Sequence, residues 1–133
     1  MNLSKRFGNQ SIVVSLDIKR NIFNKPKAYI NRAKKVINEN LVSLVKKIEK
    51  LGAGELLITS VDREGKFNGY DIDLIKLISD SVSIPVISNG GANSLEDMVR
   101  VVLDGNASAV AAGSMFVFWG KLRGILINYP SEE

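Results

Sequence analysis

Gly52-Ala53-Gly54-Glu55-Leu56-Leu57-Ile58-Thr59-Ser60-Val61-Asp62-Arg63-Glu64-Gly65-Lys66-Phe67-Asn68-Gly69 decides the fold. The stretch reads as a helix stop, a buried strand and a polar loop. Gly52 and Gly54 suit the left-handed position that ends a helix. Leu56, Leu57, Ile58 and Val61 form a short apolar run without alternation, the pattern of a parallel strand covered on both faces. Thr59, Ser60, Asp62, Arg63 and Glu64 gather where that strand ends. The carboxyl ends of parallel strands are where α/β proteins hold their ligands.

Working outward, the same unit repeats. Upstream, Leu41, Leu44, Val45, Ile48 and Leu51 recur at helical spacing, so a helix is expected over about 40–51. Before it, Ser11 to Asp17 reads as a strand rich in β-branched residues, and Leu3 to Gly8 as the tail of a helix whose beginning is absent. Ile18 to Asn40 is a long polar excursion with room for a small hairpin. Downstream, Asp71 suits the N-cap of a helix carrying Ile72, Ile75, Ile78 and Val82. Pro85 to Ser88 is a third strand, ending in Asn89-Gly90-Gly91. Ser94 with Asp97 resembles a capping box ahead of Met98, Val99, Val102 and Leu103. Ser108 to Ala112 is a fourth strand, Gly113-Ser114 opens a helical turn, and Leu122 to Leu126 suits a last helix. Strand and helix thus alternate four times, which implies a parallel sheet with right-handed crossovers. A flavodoxin-like sheet has five strands and a (β/α)8 TIM barrel eight, so residues 1–133 read as one domain of half-barrel size.

Composition narrows the chemistry. The 133 residues are 45% apolar, enough for a core. No apolar run approaches the ~20 residues of a membrane span, and the N-terminus lacks the hydrophobic region of a secretory signal. With no cysteine and no histidine, disulfides, thiolate metal sites and histidine-ligated zinc are excluded, and acid/base work falls to carboxylates, Lys or Tyr. A cytoplasmic location is expected, and no motif calls for a cofactor or a metal. The net charge of +4 suits a phosphorylated ligand, although Lys34, Lys35, Lys46, Lys47 and Lys50 also read as solvated helix faces. No nucleic-acid-binding signature is visible.

Candidate site residues lie at the strand ends. Asp17 suits a general acid/base or a loop anchor. Asp62 and Glu64, two apart, suit the mouth of the sheet or loop hydrogen bonds with an ion pair to Arg63. Asn89-Gly90-Gly91 and Gly113-Ser114 are more specific together, because glycines at consecutive strand ends can turn backbone N–H groups on one anion. Phe116, Phe118 and Trp119 read as packing.

Four segments carry a family resemblance: Phe7-Gly8-Asn9-Gln10 with Val13-Val14-Ser15-Leu16-Asp17; Gly52 to Glu55 through Asp62-Arg63-Glu64-Gly65 to Gly69-Tyr70-Asp71; Pro85-Val86-Ile87 with Gly90-Gly91-Ala92; and Ala111-Ala112-Gly113-Ser114. In this order and spacing the chain resembles the C-terminal half of the cyclase subunit of imidazole glycerol phosphate synthase. Its tail, Phe116-Val117-Phe118 with Ile125 to Pro130, is similar to a branch linked to amidino-sugar synthesis for surface polysaccharides. The resemblance implies a (β/α)8 barrel fed with ammonia by a separate glutaminase subunit. It implies a phosphorylated substrate and an aspartate pair of which Asp17 is one member. Gly65, Gly90, Gly91, Gly113 and Ser114 match the family's second phosphate site, and Thr59 lines its mouth. Glu64 stands where the family has aspartate.

A four-stranded half leaves parallel edges and apolar inner faces open. Closure by a homodimer or by a separate N-terminal half is therefore expected. The other reading is a phosphate-binding, self-assembling module without turnover of its own.

Overall fold

The computed structural model describes residues 3–119 and 124–125. After a short helix α1 (Leu3–Phe7) and a 3-10 turn at Asn9–Ser11, strand β1 (Val13–Arg20) leads into a hairpin of β2 (Pro26–Ile30) and β3 (Lys35–Val36). Helix α2 (Leu41–Lys50), strand β4 (Glu55–Ser60), helix α3 (Ile72–Ser79), strand β5 (Val86–Asn89), helix α4 (Leu95–Leu103) and strand β6 (Ala109–Ala111) follow. The short helix α5 (Ser114–Val117) then precedes an antiparallel pair, β7 (Phe118–Trp119) and β8 (Gly124–Ile125). β1, β4, β5 and β6 are parallel and adjacent, and β2 and β3 extend the sheet beyond β1.

Local chemistry starts and stops the helices where the sequence placed them. Asn40, Asp71 and Ser94 each accept a bond from the backbone N–H three residues on, at 3.1, 3.2 and 3.3 Å, satisfying a donor that the first turn leaves open. Gly52 ends α2 at a φ of 101°, a value an L side chain resists. Gly54 is needed for a different reason: a Cβ there would strike the Asn9 carbonyl.

Burial along the strands gives the architecture. Leu56, Ile58, Ser60, Val86 and Ser88 are buried, whereas Leu57, Thr59, Ile87 and Asn89, which alternate with them, are only half-buried. Leu56, Ile58 and Val86 of this set pack with Val45 of α2, Leu74, Ile75 and Ile78 of α3 and Val101 of α4 in one core. Each large aliphatic side chain so covered contributes about 1.5–3 kcal/mol. All three main helices thus lie on one face of the parallel sheet. This is a half TIM barrel, and it overturns the expectation that the Leu56–Ile58 run is covered on both sides. A flavodoxin-like sheet, with helices on both faces, is not what forms. Leu57 and Ile87 are apolar because they belong to a barrel interior, which four strands leave open.

Further differences from the sequence expectation have local causes. β1 runs on three residues past Asp17, because Ile18 pairs with Ser60 of β4, and Ile18, Lys19 and Arg20 pair with Ala28, Lys27 and Pro26 of β2. Lys34 and Lys35 sit in the hairpin rather than on a helix. Phe118 is exposed and adds little to the core. Gly124–Ile125 are strand, paired with Phe118–Trp119, where a helix over Leu122–Leu126 was expected; the rest of that segment lies outside the described residues. No helix among the described residues is long and apolar enough to cross a membrane.

Candidate functional site

Parallel register places Asp17 of β1, Thr59 of β4, Asn89 of β5 and Ala111 of β6 opposite one another. Residues directly opposed share a face, so these four form a row on the open side, at the carboxyl end of the sheet. The Asn89 side-chain amide donates to the Thr59 hydroxyl at 3.1 Å, fixing both in the middle of the row. Adjacent strands lie about 4.8 Å apart, which puts Asp17 roughly 10 Å from Asn89. Asp17 is half-buried and is the one carboxylate of the row.

Beyond Asn89 the strand ends enclose a small polar pocket. Glu64, Gly65, Gly90, Gly91, Gly113 and Ser114 all line it, together with Asn89. The structure therefore gathers six of the eight sequence-chosen residues, leaves Thr59 one hydrogen bond away, and keeps Asp17 at the opposite end of the row. Gly91 is essential to the wall. At a φ of 100°, its carbonyl accepts from the Gly69 N–H at 2.8 Å, and a Cβ would meet the Gly69 carbonyl. Gly113, by contrast, has nothing within 4 Å of where a Cβ would sit and no left-handed backbone. Glu64 is held at its backbone, whose N–H donates to the Ser60 carbonyl at 3.0 Å. Its carboxylate reaches over Gly90, with an oxygen 3.2 Å from a Cβ position there.

Asp62 and Glu64, grouped in the sequence, separate in space. Asp62 accepts from the Arg20 backbone N–H at 2.7 Å, so it anchors the loop instead of facing the mouth. Arg63 donates to the carbonyls of Asn68 and Gly69, both at 3.1 Å, and lies 3.9 Å from Asp71. It makes no ion pair with Asp62 or Glu64 among the described residues, and its guanidinium is turned away from the pocket.

Sequence reasoning missed two supporting residues. Arg20 donates from Nε and Nη2 to the two oxygens of Asp71, at 3.0 and 2.8 Å, and from Nη1 to the Asn24 carbonyl at 2.9 Å. One side chain thereby ties the end of β1, the hairpin turn and the start of α3. Burial alone would raise the Asp71 carboxyl, and it acts more strongly than any other single influence. The Arg20 hydrogen bonds, the Leu74 N–H and the charges of Arg20 and Arg63 together hold the group below its ordinary value. Tyr70, also buried, donates its hydroxyl to the Ala111 carbonyl at 2.9 Å, pinning the end of β6. Burial, and then the negative charges of Asp97 and Glu64, push its phenol up to about 12. Arg20 and Asp71 are 51 residues apart, and Tyr70 and Ala111 are 41 apart. No local pattern signals either pair.

Chemically, the row offers a carboxylate for proton transfer at one end. At the other it offers a glycine-lined pocket whose backbone can approach an anion closely.

Comparison with known proteins agrees with this geometry. The family described as "Histidine biosynthesis protein" matches residues 1–123. The "Putative imidazole glycerol phosphate synthase subunit hisF3" of Vibrio vulnificus is 38% identical over 132 residues, 98% of this chain and 51% of the relative. The "Imidazole glycerol phosphate synthase subunit HisF" of Prochlorococcus marinus (strain MIT 9515) is 44% identical over 114 residues, 84% of this chain and 44% of the relative. That of Chlorobaculum tepidum is 40% identical over 116 residues, 87% of this chain and 46% of the relative. The chain spans about half the length of the curated relatives it matches. It belongs to the histidine biosynthesis protein family and corresponds to the C-terminal half of the cyclase-subunit barrel.

Proposed function

We propose that this chain is a working half of a cyclase-type barrel that joins ammonia, delivered by a glutaminase subunit, to a phosphorylated sugar-type substrate. The observation that carries the reading is the row itself. Asp17 stands about 10 Å from a glycine-lined pocket, a separation that a sugar phosphate can span. Asp17 acts as general acid/base, Thr59 and Asn89 line the mouth, and Gly65, Gly90, Gly91, Gly113 and Ser114 receive the phosphate. Carboxylates transfer protons efficiently once positioned within hydrogen-bond reach, and with no histidine in the chain Asp17 is the natural candidate.

The row contains one carboxylate, so an acid/base pair needs a second half-barrel. We take that half to be a second copy. Among the described residues, β1 offers a free edge over Val13–Asp17 and β6 a free edge on its far side. Two copies related by a two-fold axis pair β6 of each with β1 of the other, giving eight parallel strands. The same step covers Val13, Leu57 and Ile87. An N-terminal half of the same family would fill the position equally, and the mass of the assembly separates the two. A cytoplasmic location fits the cysteine-free sequence.

Substrate type is argued from the tail. The Vibrio match runs through 132 residues, whereas the Prochlorococcus match covers 114. The resemblance of Phe116-Val117-Phe118 and Ile125 to Pro130 to the sugar-amidination branch is what favours that branch over ring closure in histidine synthesis. The Vibrio relative matched through this tail is itself described as a "Putative imidazole glycerol phosphate synthase subunit hisF3". A second reading, a phosphate-binding module without turnover, is favoured by the single carboxylate of the row and by Glu64 inside the pocket.

The test is turnover of a phosphorylated ribulosyl or keto-sugar substrate with ammonium ions, followed by NMR, for the wild type and Asp17→Asn. Loss of turnover in Asp17→Asn, with phosphate-ester binding retained, supports the enzyme reading. Binding without wild-type turnover supports the module. Absence of both sinks the proposal.

A further inference from the structure

The pocket between β5 and β6 has a charge problem. Among the described residues its lining contains the Glu64 carboxylate and no cationic side chain. Of the two cations that flank Glu64-Gly65 in sequence, Arg63 is committed elsewhere and Lys66 is exposed outside the lining. A phosphate seated there would meet like charge. Among the described residues, the lysines carried by the strands on the open face are at the other edge of the sheet. Lys19 follows Asp17 on the same side of β1, and Lys27 of β2 is its antiparallel partner, so the two share that face. Lys19 is exposed, its ammonium 5.2 Å from the Tyr29 ring centroid, and Lys27 donates to the Asn38 carbonyl at 3.3 Å. β1 and β6 are three strand spacings apart, about 14 Å, farther than a lysine's four-carbon stem reaches.

Sheet geometry removes the separation once the barrel closes. β2 pairs with β1 at residues 18–20 only, leaving the ladder positions of Val13–Asp17 open. A β6 from a second copy fits those open positions and ends at Ala111. Its Ala112-Gly113-Ser114 then runs directly into the end of β2. The hairpin of one copy thus stands over the pocket of the other. We infer that each phosphate pocket is completed in trans by Lys19 and Lys27 of the opposite copy, which also offset Glu64. The inference rests on the proposed dimeric barrel and its phosphate reading, and adds to them the source of the cations.

The experiment titrates inorganic phosphate into the purified chain, by calorimetry and amide NMR, with the mass checked by light scattering. Three samples are compared: wild type, K19M/K27M, and Ser114→Asp, which places a second negative charge in the pocket. Lys19 is exposed and Lys27 half-buried, and methionine keeps the length of either stem, so K19M/K27M should keep the wild-type circular dichroism. Its phosphate affinity should fall about tenfold or more, the scale of a lost charge-assisted contact. Mixing K19M/K27M with Ser114→Asp by subunit exchange is decisive. A hybrid dimer with sites built in trans has one intact pocket facing intact lysines, so about half of its sites should regain wild-type affinity. Sites built in cis regain none. Loss of affinity in K19M/K27M without recovery in the hybrid overturns the inference, as does unchanged affinity in K19M/K27M. Both leave the dimer and phosphate readings standing. A monomeric wild type, or one that binds no phosphate, removes the underlying reading and the inference with it.

Discussion

Asp71 allows the strongest prediction, because one side chain has two separable duties. It caps α3 through the Leu74 N–H and pairs with Arg20 through two hydrogen bonds. Its side chain is 6% exposed and that of Arg20 is 25%. Breaking a fully buried ion pair costs about 3–5 kcal/mol, and an exposed pair is worth about 0–1 kcal/mol. With one partner buried and the other a quarter exposed, we expect about 2–3 kcal/mol for losing this pair. Removing the cap adds about 1 kcal/mol. Asp71→Ser keeps a capping oxygen and should therefore cost about 2–3 kcal/mol, and Asp71→Ala about 3–4 kcal/mol, out of a total of order 5–15 kcal/mol for a domain. Urea unfolding followed by circular dichroism, at one fixed protein concentration, reads these differences. The double-mutant cycle with Arg20→Met isolates the pair. In the Asp71→Ser background, Arg20→Met should cost little beyond the bond to the Asn24 carbonyl. The sign with pH follows from the depressed carboxyl. The contribution of the pair is present above the ordinary carboxylate value of 3.8 and is lost as pH falls through the lower folded value. Acid sensitivity below that point should be smaller in Asp71→Asn than in the wild type. Should Asp71→Ser fall within about 0.5 kcal/mol of the wild type, or Arg20→Met cost the same in both backgrounds, the clamp is not what holds β1 to α3.

Other outcomes follow from the pocket and its supports. Gly91→Ala should destabilise by about 2 kcal/mol or more, because an alanine there combines left-handed backbone with a clash at the Gly69 carbonyl. Gly113→Ala should stay within about 0.5 kcal/mol, since its Cβ enters open space; equal costs at the two sites would refute the geometry of the wall. Tyr70→Phe should lose about 1 kcal/mol with the bond to Ala111. In ultraviolet titration of the wild type, Tyr70 should ionise near pH 12, and Tyr70→Phe should lack that step. Because the unfolded phenol ionises first, near 10, the Tyr70 contribution is full below that pH and declines between 10 and 12. Leu57→Ser, on the open face, should reduce the assembly mass at low micromolar concentration by light scattering if that face is covered by a second half. An unchanged dimer would place the interface elsewhere.

The sequence by itself determined the order of the parallel strands and main helices and most of the pocket. Helical spacing from Leu41 to Leu51, the Asn40, Asp71 and Ser94 caps, and the Gly90-Gly91 and Gly113-Ser114 steps after two successive strands are signals written within a few residues. Local rules suffice to read them. The same rules misread the Leu56–Ile58 run, because an apolar strand looks the same whether helices cover both faces or the second face waits for the rest of a barrel. They could not separate Asp62 from Glu64, whose different partners are the Arg20 backbone and the space over Gly90. Nor could they find the Arg20–Asp71 clamp or the Tyr70–Ala111 bond. Tertiary structure alone decided these. The Asp62 anchor, the clamp and the Tyr70 bond each join groups more than 40 residues apart, and such contacts arise only when the parallel register brings the strand ends level. That register also made Asp17, Thr59 and Asn89 one row, and put the open face's lysines at the edge opposite the pocket.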